Sequence, residues 1–203
     1  MVAKASIIAA SVFATVGLAL PLGSNSASSL TADTITSISP STASCAGADF
    51  PDECHDAATA APAITKSFEK YGVQSKGEQA ALIAIMLFES GDFKYNKNHF
   101  PGVPGQGTKN MQSPAFNQMY AKSLFPEKAA QAQSPEAVLD LVSGPDETFG
   151  SAAWFLTSQC TPAVRDGLAS GTIDGWHTYL TTCVGTTAAA ERDVSWNAAI
   201  AAL

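Results

Sequence analysis

The chain has 203 residues, of which 46% are hydrophobic, and its 18 acidic and 11 basic residues give a formal net charge of -7. An acidic chain without a basic patch argues against nucleic-acid binding and against attraction to anionic membranes. No cofactor is expected. The cysteines lack the Cys-x-x-Cys spacing of a zinc site, so no metal is expected either.

Residues 1–20 have the layout of a secretory signal peptide. Lys4 precedes an apolar run from Ala5 to Leu20, and Pro21 and small residues follow. The run is shorter than the ~20 apolar residues that span a bilayer, which argues against a membrane anchor. The exact cleavage site stays open. We expect a protein that is secreted, either extracellular or in the cell wall, with no membrane contact after cleavage.

Residues 21–44 are mostly Ser, Thr and Ala without apolar periodicity. Such a segment offers little to a core, so we predict that it is disordered. The remaining residues, 45–203, are enough for one domain, and we expect a monomer.

All four cysteines lie in this predicted domain, and an even number in an exported protein indicates two disulfides. Three pairings are possible. We favour Cys45–Cys54 and Cys160–Cys183, because each closes a short loop and the second would join neighbouring helices.

Helix signals recur along the domain. Ser75 and Glu78 have the spacing of a capping box, and three hydroxyl residues each precede a proline that suits the first helical position. The predicted helices cover residues 62–71, 76–90, 114–124, 135–142, 147–157, 162–169, 175–184 and 187–202. The fold class is therefore mainly α around a buried central helix, with at most a small β element in residues 91–107.

The central helix delivers one carboxylate at its far end. Nine apolar residues, Ala80 to Phe88, predict a helix that is buried on all sides. Glu89 follows in the last turn, where the helix dipole is negative and water is partly excluded. Both effects favour the protonated carboxyl, the form that a general acid requires.

The residues after this helix resemble the lysozyme-like superfamily. Glu89-Ser90 and Met111-Gln112 are similar to the Glu-Ser and Met-Gln pairs of lytic transglycosylases and goose-type lysozymes, although Lys109-Asn110 stand where that group has Gly-Leu. The segment Phe149-Gly-Ser-Ala-Ala-Trp154-Phe155 is similar to a helix of plant-type chitinases. The resemblance covers about residues 64–160 and implies a lysozyme-like domain.

The resemblance also implies a set of site residues. Glu89 is the expected catalytic acid and Asp92 its assistant, since no other Asp or Glu lies between Asp92 and Glu127. Flat and amide side chains suit the faces and hydroxyl edges of sugars. The expected substrate-binding residues are Ser90, Tyr95, Asn98, His99, Met111, Gln112 and Trp154.

The expected function is a glycoside hydrolase or lytic transglycosylase of muramidase or chitinase type. Its partner would be a polysaccharide of β-1,4-linked aminosugars such as peptidoglycan, chitin or chitosan. The alternative is an inactive lysozyme-like protein that binds glycan or acts as a secreted interaction protein.

Overall fold

The computed structural model describes residues 30–203. The predicted signal peptide and residues 21–29 lie outside the described residues. Within the described range the protein is mainly helical, as predicted, and its β structure consists of two isolated bridges, Lys97 with Gly107 and Gly107 with Gln112. No helix in this range is long and apolar enough to cross a membrane.

Ten α-helices follow one another along the described chain. Short Pro40–Ala43 and Tyr179–Val184 turns, of 3₁₀ and π type, follow α1 and α9. The helices are α1 Ala32–Ile38, α2 Ala57–Tyr71, α3 Lys76–Glu89, α4 Pro114–Leu124, α5 Pro126–Gln131, α6 Pro135–Leu141, α7 Pro145–Gln159, α8 Pro162–Ala169, α9 Ile173–Thr178 and α10 Ala190–Ala202.

Helix α3 is the centre of the core. Ser75 Oγ accepts a hydrogen bond from Glu78 N and donates one to Glu78 Oε2, so the predicted capping pair is present. The residues from Ala80 to Leu87 are at most 1% exposed, and α7, α8 and α10 pack around them. Phe88 departs from the prediction, because it is 38% exposed where the helix leaves the core.

The prediction of disorder for residues 21–44 is wrong from residue 30 onward. Thr31 caps α1 through a hydrogen bond from Thr34 N, and α1 packs on α2 and α10. Ile35 and Ile38 lie three residues apart and therefore share one helix face, which is buried. Leu30 and Ala32 also pack against this core, so the seven-residue helix is docked although its composition resembles that of a disordered segment.

Both disulfides are the predicted ones. Cys45–Cys54 closes the loop before α2, with Cα atoms 5.8 Å apart. Cys160–Cys183 joins the end of α7 to the π turn after α9, with Cα atoms 5.4 Å apart. The second bond fixes the wall of the cleft described next.

Candidate functional site

An open cleft of about 280 Å³ lies at the carboxyl end of α3. Apolar side chains make up one part of its lining, here called the apolar wall, and amide and hydroxyl groups make up another, the polar wall; an ion pair also lines the cleft. The lining residues are Ile85, Glu89, Gln106, Asn110, Met111, Gln112, Ser113, Phe116, Phe155, Tyr179, Val184, Thr186 and Arg192.

The ion pair between Glu89 and Arg192 joins helix α3 to helix α10. Glu89 ends α3, and Arg192 on α10 donates from Nη1 to Glu89 Oε1 at 2.5 Å. Arg192 Nη2 also donates to Thr186 Oγ1 at 3.1 Å, and the guanidinium lies 4.3 Å from the centre of the Phe88 ring. The Glu89 carboxylate thus lies in a salt bridge, with 23% of its side chain exposed.

A buried lysine holds the turn that forms the polar wall. Lys109 is fully buried, and its Nζ donates to the carbonyl oxygens of Glu53, Phe93 and Tyr95 at 2.8, 3.0 and 3.1 Å. Burial lowers the pKa of Lys109 to about 7. Met111, two residues on, has a positive φ of 46°. The anchored lysine thus brings a tight, left-handed turn to the cleft.

The amide groups of this wall are fixed by hydrogen bonds. Gln112 Nε2 donates to Asn117 Oδ1 at 2.8 Å, and Gln106 Nε2 donates to the Met111 carbonyl at 3.0 Å. Asn110 Oδ1 accepts from Ser151 Oγ at 2.7 Å. The wall therefore presents polar groups in defined positions.

The apolar wall is made of aromatic and aliphatic side chains. Phe116 and Phe155 pack edge to face, with ring centres 4.9 Å apart. Tyr179 and Val184 come from the π turn that the Cys160–Cys183 disulfide holds. This wall offers a surface for an apolar group of a ligand.

Of the predicted site residues, Glu89, Met111 and Gln112 line this cleft together. Asp92 is directed elsewhere: its two carboxylate oxygens accept hydrogen bonds from Ser39 Oγ at 2.8 Å and Ser41 Oγ at 2.6 Å. Asp92 thus ties the α3 end to the segment after α1 and is not among the cleft residues.

Ser90 and Trp154 do not line the cleft either. Ser90 is fully buried, donates from Oγ to the Met86 carbonyl and accepts from Phe93 N. Trp154 is 7% exposed and packs against Tyr120 in the core between α4 and α7. Both side chains therefore belong to the packed interior of the protein and not to the surface of the cleft.

Tyr95, Asn98 and His99 form a separate surface cluster. His99 stacks on Phe50 with ring centres 3.6 Å apart, and its Nε2 lies 2.9 Å from Glu53 Oε1. Tyr95 Oη donates to Asp49, and Asn98 Nδ2 donates to Gln106 Oε1 at 2.8 Å. Only Asn98 is connected to the cleft, through Gln106.

The sequence analysis missed two residues that shape the site, Arg192 and Lys109. Arg192 lies 103 residues from Glu89, and no local pattern links the two. Lys109 had a weak signal, since the sequence analysis noted it only as a charged residue in a turn where the family that this turn resembles has Gly-Leu.

Comparison with known proteins gives one curated relative. Residues of this chain are 45% identical over 138 positions to a bifunctional dioxygenase (DOX)-epoxy alcohol synthase (EAS) of Fusarium oxysporum. The match covers 63% of this chain and 11% of that protein, so this chain corresponds to a small part of the relative. No family model matches. No solved structure matches.

This relative corrects the functional expectation. It is named for dioxygenase and epoxy alcohol synthase activities, not for a muramidase, chitinase or other glycosidase. The predicted glycoside hydrolase or lytic transglycosylase function and its enzyme type are therefore wrong. The chitin and peptidoglycan association is overturned with them, as is the polysaccharide partner.

Proposed function

We propose that this chain is a small-molecule binding module whose cleft, at Glu89, takes an oxygenated organic molecule with an apolar part, of the epoxy alcohol class. The observation that carries the proposal is the mixed lining of one cleft. Amide groups of Gln106 and Gln112 and the aromatic rings of Phe116 and Phe155 line it together.

The chemistry of an epoxy alcohol suits these two walls. Its epoxide and hydroxyl oxygens accept hydrogen bonds from amide N–H groups, and its hydroxyl can donate to the carboxylate of Glu89. Its hydrocarbon part gains free energy by leaving water against the aromatic wall. The compound class is taken from the name of the relative. The catalytic activity of the relative is not assigned to this chain, because the match covers only 11% of that protein.

The test is a binding measurement by NMR on the chain without residues 1–29, with epoxyhexanol as the probe and hexanol as the control. The truncation keeps every described residue. Epoxyhexanol should shift the amide signals of the cleft residues and bind more tightly than hexanol. Shifts confined to other surfaces, or equal binding of both alcohols, would refute the proposal.

A matched pair of variants on α4 sharpens this test. Phe116→Ala removes part of the apolar wall, whereas Met119→Ala changes a residue that is 48% exposed and not part of the cleft. Losing the contact of one aromatic side chain should weaken epoxyhexanol binding about tenfold. Met119→Ala should leave the affinity unchanged.

We also propose that the protein is exported and that its fold is lysozyme-like. The two disulfides support export, because such bonds persist in oxidising compartments. The position of Met111 and Gln112 beside the Glu89 helix end supports the fold relationship. An experimental structure that superposes on this superfamily would test the second proposal.

A further inference from the structure

We propose that Arg192 binds a carboxylate group of the ligand, and that Glu89 is an internal competitor for the same guanidinium. This inference rests on the proposed function of the cleft and adds to it a defined ligand class, amphipathic carboxylic acids.

The first observation is the number of unused donors on Arg192. A guanidinium has five N–H groups, and the described residues accept from it at two places, Glu89 Oε1 and Thr186 Oγ1. The side chain is nevertheless only 11% exposed. The described residues thus leave three N–H groups for other acceptors.

One of these donors, Nε–H, is not fully enclosed. The fully enclosed side-chain atoms without a partner among the described residues are His55 Nδ1, Thr65 Oγ1 and Tyr71 Oη, so Arg192 Nε, which has no partner there, keeps some exposure. Arg192 is also a lining residue of the cleft. A ligand in the cleft can therefore reach the guanidinium.

The guanidinium is held in place before a ligand arrives. Thr186 Oγ1 accepts from Nη2, and Arg192 Cζ lies over the Phe88 ring, 4.3 Å from the ring centre. Arginine recognises carboxylates with two parallel hydrogen bonds, and a fixed guanidinium loses little entropy in forming them. These features favour a carboxylate over a neutral polar group.

Glu89 limits the affinity that Arg192 can provide. The Glu89–Arg192 pair is neutral, so a ligand carboxylate adds a negative charge beside the one already there. The titratable groups lining the cleft are Glu89, Arg192 and Tyr179, and Asp193 on α10 is bonded instead to Trp176 and His177. In the described part of the chain, Arg192 is thus the one cation that faces the ligand.

The experiment compares hexanoic acid with methyl hexanoate at neutral pH, by calorimetry, on the chain comprising residues 30–203. Glu89→Gln removes the competing charge and keeps the shape. Affinity for hexanoate should rise by about tenfold, the equivalent of one charge-assisted hydrogen bond. Affinity for the ester, which carries no charge, should not rise with it.

Two further variants serve as controls. Glu78→Gln makes the same change in a second ion pair, Glu78 with Arg165, which lies outside the cleft, and should leave hexanoate binding unchanged. The double variant Glu89→Gln with Arg192→Gln should lose the preference for the acid. Thermal unfolding of each variant checks that it is folded.

A measurement on the unmodified protein tests carboxylate binding by Arg192 without the use of a variant. The Arg192 Nε–H NMR signal should shift when hexanoate is added and not when methyl hexanoate is added. Equal effects of acid and ester on this signal would overturn the inference, as would a Glu89→Gln variant without preference for the acid. If the inference fails in this way but epoxyhexanol still binds in the cleft, the proposed function stands. If none of the probes binds in the cleft, the proposed function fails as well.

Discussion

Replacing Lys109 by methionine tests how the polar wall of the cleft is held. The Lys109 ammonium is fully buried and donates to three backbone carbonyls from the Cys45–Cys54 loop region and the segment after α3. Methionine has a similar length and no donor. In the described residues the Glu53 and Tyr95 carbonyls would then have no hydrogen-bond donor, while the Phe93 carbonyl keeps the His55 amide at 3.0 Å.

The expected loss follows from these contacts. An unsatisfied buried carbonyl costs about 1–3 kcal/mol, and hydrogen bonds from a charged donor contribute about 1.5–3 kcal/mol each. Removing a buried charge offsets part of this sum, because desolvating the ammonium costs several kcal/mol. We expect Lys109→Met to lower the free energy of unfolding by about 2 kcal/mol at neutral pH, within these limits.

The pH dependence gives a second and independent readout. Burial lowers the native-state pKa of Lys109 from 10.5 to about 7, so between these values the unfolded chain binds more protons than the folded one. The free energy of unfolding therefore rises with pH in this window, by about 1 kcal/mol per pH unit. Lys109→Met lacks this group, so the stability advantage of the unmodified protein should grow from pH 7 upward.

Urea unfolding with both disulfides intact, followed by circular dichroism between neutral pH and about pH 9, measures both effects within the titration window. Lys122→Met, an exposed lysine on α4, is the control and should change stability little at any pH. Equal stability of Lys109→Met and the unmodified protein would refute the anchoring role. If Lys109→Met lowers the free energy of unfolding by the same amount at every pH, the lowered pKa of Lys109 is refuted.

Two more stability predictions concern the disulfide and the first helix. Replacing Cys160 and Cys183 together by serine opens a loop with a sequence separation of 23, which should lower the unfolding free energy by about 3 kcal/mol in urea titrations. An unchanged midpoint would show that the bond does not constrain the unfolded chain. Ile35→Ala, in a fully buried position of α1, should cost about 2–4 kcal/mol by the same assay. The control is Val194→Ala on α10, where the side chain is 70% exposed, and it should cost less than about 0.5 kcal/mol. If Ile35→Ala costs as little as Val194→Ala, α1 does not belong to the core.

Four of the ten helix starts of the described residues, at Lys76, Pro114, Pro135 and Pro162, were predicted from the sequence, because their signals are local. Ser113, Ser134 and Thr161 each cap the next helix through a hydrogen bond to its backbone, with proline in the first turn. Helix α5 was missed, since its N-cap is Phe125 and makes no side-chain capping bond. Pro62 was taken as a helix start, although α2 begins five residues earlier at Ala57 with the Asp56 cap.

The site was predictable only in part. The end of α3 and the turn at Met111 could be paired by resemblance, and the structure places Glu89, Met111 and Gln112 in one cleft. The second carboxylate could not be located, because Asp92 follows Glu89 closely but has a positive φ of 57°. Its side chain points to Ser39 and Ser41, which belonged to a segment predicted to be disordered.

The sequence by itself predicted the caps at Ser75, Ser113, Ser134 and Thr161 and the burial of α3 up to Leu87, and it favoured the disulfide pairing that the structure has. Each of these depends on residues within a few turns or on a short loop. Only the tertiary structure decided the partners of the charged side chains. Arg192 reaches Glu89 because α10 packs along α3, and Lys109 is buried because three carbonyls from separate segments converge on it. Such contacts depend on how distant elements are oriented, and local periodicity carries no information about that orientation.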